Sequence, residues 1–132
     1  MGFAEARAAF VAGRGEPGEA LAAFRSELVW MPVDGNGRVF TLMFGGLAWL
    51  VAFTSVARLR DWMMAVGADV AAGRMFSAPG ALVIDELMDG APSPTALLID
   101  AASAEPFTFA PVKGVSPHMY VDVASGQAVT VA

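Results

Sequence analysis

Residues 47–63 read LAWLVAFTSVARLRDWM, and two different periodicities meet within this stretch. Residues 47–53 are apolar on both faces of an extended strand, which is typical of a central strand covered on both sides. Thr54 or Ser55 is suited to cap a helix by accepting a backbone N–H bond. Apolar residues then recur at helical spacing: Val56, Leu59, Trp62, Met63 and Val66. The stretch predicts a central strand that runs into an amphipathic helix, which Gly67 is placed to end.

The region before this helix has a second possible interpretation as a membrane span. The 19 residues between Arg38 and Arg58 carry no charge, and this is about the length of a bilayer-spanning helix. However, Gly45 and Gly46 interrupt the run, and both can adopt the positive φ of a tight turn. The flanking residues are largely β-formers. We therefore predict two strands joined by a Gly-Gly hairpin and no membrane span.

The first 44 residues predict two helices and a hairpin. Alanine-rich segments at 3–12 and 17–25 favour helices, and 28–33 reads as a strand with Pro32 near its end or on an edge. The Asp-Gly-Asn-Gly run at 34–37 predicts a hairpin turn into a strand at 39–44. A dinucleotide-binding loop is the alternative for its glycines. The hairpin is favoured because no helix follows and a third glycine is missing.

The second half of the chain predicts short strands around one helix. Pro79 suits the first turn of a helix over 79–88, although the apolar run 82–84 leaves a strand as the alternative. A loop follows at 89–94, and Ser125-Gly126 is expected to turn a C-terminal hairpin. Further strands are predicted at 74–77, 96–100, 107–109, 118–123 and 127–131.

These elements predict an α+β fold in a single domain, with helices packed on a central mixed or largely antiparallel sheet. A chain of 132 residues is long enough for one compact core. We divide it into a helical N-terminal segment at 1–26, a core at 27–112 and a C-terminal hairpin at 113–132. The N-terminus carries early charges and no long apolar run, so no signal peptide is predicted and a cytoplasmic location is expected.

Charge and composition bear on the class of partner. The chain is 56% hydrophobic, with a net charge of −5. That charge lies in residues 75–132, where Lys113 is the single base against six acids. An acidic half repels phosphate backbones, so nucleic-acid binding is not expected. The apolar excess can fill a core and still leave surface for a protein partner.

The inventory for catalysis is small, and we predict no catalytic, metal-binding or cofactor-binding residue. The chain has no cysteine, one histidine, no Gly-x-Ser-x-Gly turn and no Walker-type glycine loop. Asp85, Glu86 and Asp89 could meet on a helix face and bind a cation, but a solvated face is the favoured interpretation. A small-molecule or enzymatic site that uses Asp100 and His118 is the alternative to a non-enzymatic protein.

Large apolar side chains form a further group. Core packing is the default for each of them, but as a set they predict an interaction surface or a homodimer interface. The residues chosen for this surface are Trp30, Met31, Met43, Trp49, Trp62 and Met64.

Three segments carry a resemblance to a known family. LVWMPV, LAWLVAFTSVARLRDWM and ALLIDAASAEPFTF occur in this order within residues 20–112, and this order resembles the N-terminal domain of the SseB-like (enhanced serine sensitivity) family. The resemblance implies an α+β domain with a central sheet, and a role as an accessory or regulatory protein, in some members associated with secretion systems. It supplies no reaction, ligand or catalytic residue. We therefore expect a non-enzymatic protein that acts through contact with another protein or with a second copy of itself.

Overall fold

The computed structural model describes residues 2–67 and 74–131, so the alanine-rich stretch 68–73 lies outside the described residues. Helices run over Phe3–Val11 (α1), Pro17–Arg25 (α2), Val56–Val66 (α3) and Gly80–Leu82 (α4), and α4 continues as a π-helical segment over Val83–Met88. Strands run over Leu28–Pro32 (β1), Thr41–Phe44 (β2), Leu47–Ala52 (β3), Met75–Pro79 (β4), Thr95–Ile99 (β5), Phe107–Phe109 (β6), Met119–Val121 (β7) and Ala128–Thr130 (β8). The predicted α+β class is confirmed.

A four-stranded mixed sheet in the order β2-β3-β5-β6 forms the centre of the fold. β3 and β5 are parallel, while β2 and β6 pair antiparallel at the two edges. The predicted Gly-Gly hairpin joins β2 to β3, with φ of 62° at Gly45 and 80° at Gly46. Among the described residues, no helix is long and apolar enough to cross a membrane. The central strand and the hairpin are thus where the sequence places them.

Only part of the predicted β1–β2 hairpin is present in the structure. Its turn exists, because Asp34 Oδ1 accepts the backbone N–H groups of Asn36 and Arg38. Beyond the turn, a single bridge between Val33 and Val39 replaces the expected ladder. β1 instead forms an antiparallel ladder with β4, and it joins the end of β3 through the reciprocal backbone bonds of Trp30 and Phe53. Pro32 lacks an N–H group, which prevents a regular ladder from β1 into the hairpin.

Core residues lie on both faces of the sheet, as the double-sided pattern of β3 predicts. On one face, Leu50 and Ala52 pack with the side chains of α1, α2 and the π-helical segment. On the other face, Val51 and Phe53 pack with Leu59 and Trp62 of α3. The α3 helix covers only the part of this second face that is near the C-terminal end of β3. The part near the Gly-Gly turn is not covered by a described helix.

The α3 helix begins and ends where predicted, but its buried stripe is shorter than predicted. Ser55 Oγ accepts the N–H of Arg58 at 3.2 Å, and Gly67 ends α3 with a φ of 54°, so both predicted ends are confirmed. Val66, assigned to the buried stripe, is exposed. The segment 80–88 is helical and not a strand, whereas Pro79, predicted for the first helical turn, is the last residue of β4. The Asp89 N–H bonds to the Ile84 carbonyl five residues back. This five-residue spacing is that of a π-helix and differs from the four-residue spacing of an α-helix.

Candidate functional site

The edge strand β2 is the most exposed apolar element of the described structure. Its inner side pairs with β3, and no described strand lies along its outer side. Leu42 is 40% exposed, Met43 74% and Phe44 76%. Since β2 is four residues long and lies on the rim of the sheet, side chains on both of its faces reach solvent.

These side chains border an apolar groove of about 430 Å³ on the uncovered part of the sheet. We call the strand and its groove the β2 patch, formed by Leu42, Met43, Phe44, Trp49, Leu98 and Thr108. Leu42 is paired with Trp49 across β2 and β3, so the two lie on the same face. The Trp49 Nε1–H donates to the Phe44 carbonyl at 3.0 Å, which satisfies the only donor of the indole. The exposed part of the ring therefore presents apolar surface.

The structure divides the six residues predicted for an interaction surface. Met43 and Trp49 belong to the β2 patch. Met31 and Trp62 are buried in the two cores, which corrects their inclusion in a surface. Trp30 is partly buried against the α3 core.

The sixth residue, Met64, is 84% exposed on α3 and does not line the groove. Leu42, Phe44 and Leu98 were missed. The hairpin register already places Leu42 and Phe44 on the face of Trp49, but their exposure depends on whether another strand covers β2.

A second arrangement gathers charge around Asp100, which follows β5 and has no exposed surface. Its Oδ2 accepts from Arg7 Nη1 and Arg58 Nη1, each at 2.7 Å, and from Thr54 Oγ1 at 2.8 Å. Its Oδ1 accepts the Thr54 N–H at 2.8 Å. Glu105 Oε2 accepts from the same two guanidinium groups at 3.0 and 3.3 Å. This Asp100 cluster therefore ties α1, the turn before α3 and the end of β5 together.

The contacts of the Asp100 cluster indicate a structural role. Burial raises the pKa of Asp100, but the hydrogen bonds from Arg7 and Thr54 and the charge of Arg58 outweigh it. The pKa is therefore held below its ordinary value of 3.8. Asp100 remains an anion whose two oxygens are occupied by donors, which makes it a poor proton acceptor. Arg7, which is buried over the ring of Phe3, was not identified from the sequence.

The other candidate polar residues pair elsewhere. Asp89 Oδ1 accepts the N–H groups of His118 and Met119, and Oδ2 lies 2.7 Å from His118 Nδ1. Asp85 forms two bonds of 2.8 Å with Arg25, so it does not share a site with Asp89. His118 and Asp100 have separate hydrogen-bond partners and are not bonded to each other. In residues 2–67 and 74–131, no three acids or histidines are grouped to hold a metal ion.

Replacing Asp89 with asparagine is expected to lower the free energy of unfolding by about 0.5–1 kcal/mol at pH 7. Burial raises the pKa of Asp89, but the bonds from the His118 ring and two backbone N–H groups outweigh it and bring the pKa below 3.8. A carboxyl group with a lowered folded-state pKa stabilises the fold above its ordinary pKa, and this contribution is lost as the pH falls through the lowered value.

The difference between the wild type and Asp89→Asn should therefore shrink below about pH 4. Urea unfolding at several pH values measures this difference. Asp61→Asn, a change on the exposed side of α3, is the matched control. An equal loss for both variants at pH 7 would contradict the prediction.

Comparisons of this chain with protein-family models, with curated proteins and with solved structures find no match. Function is therefore inferred from the residues and contacts of this chain. Two arrangements are available for that inference, the β2 patch and the Asp100 cluster. Of these two, the β2 patch presents exposed apolar surface, whereas the donors and acceptors of the Asp100 cluster are bonded to one another.

Proposed function

We propose that this chain is a non-enzymatic accessory or regulatory protein that acts through protein–protein contact at the β2 patch. The observation that carries the proposal is the exposure of three consecutive apolar residues on an edge strand that borders an apolar groove. Leu42 and Phe44 lie on the face of Trp49, and Met43 is exposed between them on the opposite face. A cluster of exposed apolar side chains on a small domain is typical of an interaction site. An open strand edge adds backbone donors and acceptors that a partner can pair with.

The charged side chains support the same proposal because those with the shortest contacts pair with other groups of the same chain. Arg7, Arg58, Asp100 and Glu105 neutralise one another, and Asp89 is occupied by His118 and the backbone. A small-molecule site normally keeps a few polar groups directed at its ligand. The groove of the β2 patch is instead bordered mainly by apolar side chains, which favours a protein partner.

The broader biological setting belongs to the same proposal. The order of LVWMPV and LAWLVAFTSVARLRDWM resembles the SseB-like family, which implies an accessory or regulatory role and, for some members, an association with secretion systems. We propose a cytoplasmic location on the same basis. The partner is either a second copy of the chain or another protein with an apolar recognition surface.

A photo-cross-linking amino acid placed at Phe44 tests the proposed function. In cells that produce the full chain, we expect a covalent adduct of discrete mass, because a bound partner would cover this side chain. The same amino acid at Val123, which is similarly exposed and does not line the groove, is the matched control and should give no such adduct. Absence of an adduct at position 44, or equal adducts at both positions, would overturn the proposed contact site.

A further inference from the structure

We infer that the partner at the β2 patch is a second copy of this chain, whose β2 pairs antiparallel with the first across a two-fold axis. This inference rests on the proposed function and names the partner. Pairing of the two edges would join the four-stranded sheets of two copies into one sheet of eight strands. It would also provide hydrogen-bond partners for the outer backbone groups of β2.

The β2 edge lacks the features that usually keep edge strands apart. Natural edges are protected by charged side chains, prolines or bulges, and 41–44 contains none of the first two. The opposite edge of the sheet, β6, is different because Pro106 and Pro111 flank it closely. Its Phe107 also packs against Phe3 and Phe10 of α1. Of the two edges of this sheet, β2 is therefore the one that no described element or flanking proline obstructs.

The hairpin geometry specifies the register of the pair. Phe44 and Leu47 flank a two-residue turn, so they form a hydrogen-bonded pair within the hairpin. Bonding direction alternates along an antiparallel strand, so the N–H and C=O groups of Met43 are directed to the open side. A two-fold axis through this position places Met43 opposite Met43 of the second copy. Leu42 of each copy then lies opposite Phe44 of the other, on the face that carries Trp49.

The charge distribution allows a second copy to bind at this site. Each copy carries −5, so two copies repel one another over most orientations. The run 39–57 contains no charged residue, and β2 lies within it. Pairing at β2 brings the copies together through an uncharged stretch. The strand itself offers no negative charge that a strongly basic partner could bind.

The area available indicates a weak dimer. Leu42, Met43 and Phe44 are between two-fifths and about three-quarters exposed. Covering these side chains and the strand backbone on both copies would remove roughly 1,000 Å² of surface from water, near the lower limit for specific interfaces. We therefore expect a dimer that forms at micromolar concentrations and dissociates on dilution.

Sedimentation equilibrium of the full chain, from about 1 μM to about 1 mM, measures the dissociation constant of the dimer. Substitutions that place a positive or a negative charge at Met43 then test the inference. Met43→Lys should weaken dimerisation at least about tenfold, because the axis places two like charges opposite each other. Met43→Glu should do the same. An equal mixture of the two variants should recover the dimer, since each lysine then faces a glutamate. Far-UV circular dichroism establishes that both variants remain folded.

The control is Met64→Lys, the same substitution at a similarly exposed methionine that does not line the groove, and it should leave the dimer unchanged. A wild type that stays monomeric throughout, equal effects at positions 43 and 64, or a mixture that fails to associate would each overturn the inference. These outcomes are distinguishable from failure of the proposed function. A monomeric wild type that still gives a cross-link from position 44 to a different protein overturns the dimer and supports the proposed function.

Discussion

Replacing Asp100 with asparagine is expected to lower the free energy of unfolding by about 3–5 kcal/mol. The fully buried carboxylate accepts hydrogen bonds from Arg7, Arg58 and both the N–H and the hydroxyl of Thr54. Asparagine keeps an oxygen for the Thr54 N–H, but it removes the charge that balances the buried guanidinium of Arg7. Asparagine also tolerates the φ of +54° at this position, so backbone strain adds little to the effect. Urea unfolding followed by circular dichroism measures the loss.

Asp85→Asn is the matched control, because it removes one carboxylate from an arginine pair at the surface. Arg25 and Asp85 are both exposed, and pairs of this kind contribute about 0–1 kcal/mol. Arg58→Gln is a milder change in the Asp100 cluster, since Arg58 is partly exposed, and it should cost about 1–2 kcal/mol. If Asp100→Asn prevents folding, the unfolding transition of Arg58→Gln can still be measured. Equal losses at positions 85 and 100 would contradict a role for Asp100 as a buried tie.

The pH dependence provides a second readout for Asp100. Its pKa in the folded chain lies below the ordinary 3.8 because the arginine and Thr54 donors outweigh the effect of burial. Its stabilising contribution is therefore present at neutral pH and is lost as the pH falls through the lowered pKa. The gap between the wild type and Asp100→Asn should narrow below about pH 4. A gap that stays constant down to pH 2 would indicate a steric cause instead.

The parts of the fold that the sequence predicts are those that neighbouring residues determine. The two-sided apolar pattern of 47–53 predicts a central strand, and Ser55 and Gly67 mark both ends of the following helix. The Gly45-Gly46 turn predicts the β2–β3 hairpin for the same reason, since a tight turn needs residues that accept positive φ. In each case the relevant interaction spans only a few positions along the chain.

Pairings between distant residues were not predictable in this way. The partners of Asp100 lie 93 and 42 residues away, at Arg7 and Arg58, and no local pattern links them. The ladder between β1 and β4 was missed because the turn at 34–37 favours the adjacent strand as the partner of β1. Strand pairing depends on which edges meet in three dimensions, which side-chain alternation does not specify.

The candidate site shows the same limit at the level of single residues. Trp62 and Met43 lie close to the same apolar region of sequence, yet Trp62 is buried between α3 and the sheet, whereas Met43 reaches solvent. The difference arises because α3 folds back over the end of β3, whereas no described element covers β2. The sequence shows where large apolar side chains occur, such as aromatic residues and methionines. Only the tertiary arrangement decides whether these side chains fill a core or form a surface.

Replacing Gly80 with alanine is expected to lower the free energy of unfolding by about 3 kcal/mol. A Cβ at this buried position would overlap the carbonyl oxygen of Phe24 and lie 2.7 Å from its carbonyl carbon. Both atoms belong to the backbone at the end of α2, so no side-chain rotation can relieve the contact. The Gly80 N–H also donates to the Glu27 carbonyl at 2.8 Å, which holds the two segments together. Thermal and urea unfolding measure the loss.

Gly18→Ala, a second glycine-to-alanine change in a helix, is the control. No heavy atom lies within 4 Å of a Cβ built at Gly18 in α2. Alanine there should leave stability unchanged or raise it by up to about 1 kcal/mol, because alanine loses less backbone freedom on folding than glycine. Opposite effects at the two glycines would show that close approach of α2 to the start of α4 requires glycine at position 80. A neutral Gly80→Ala would instead mean that these two segments can separate at little cost.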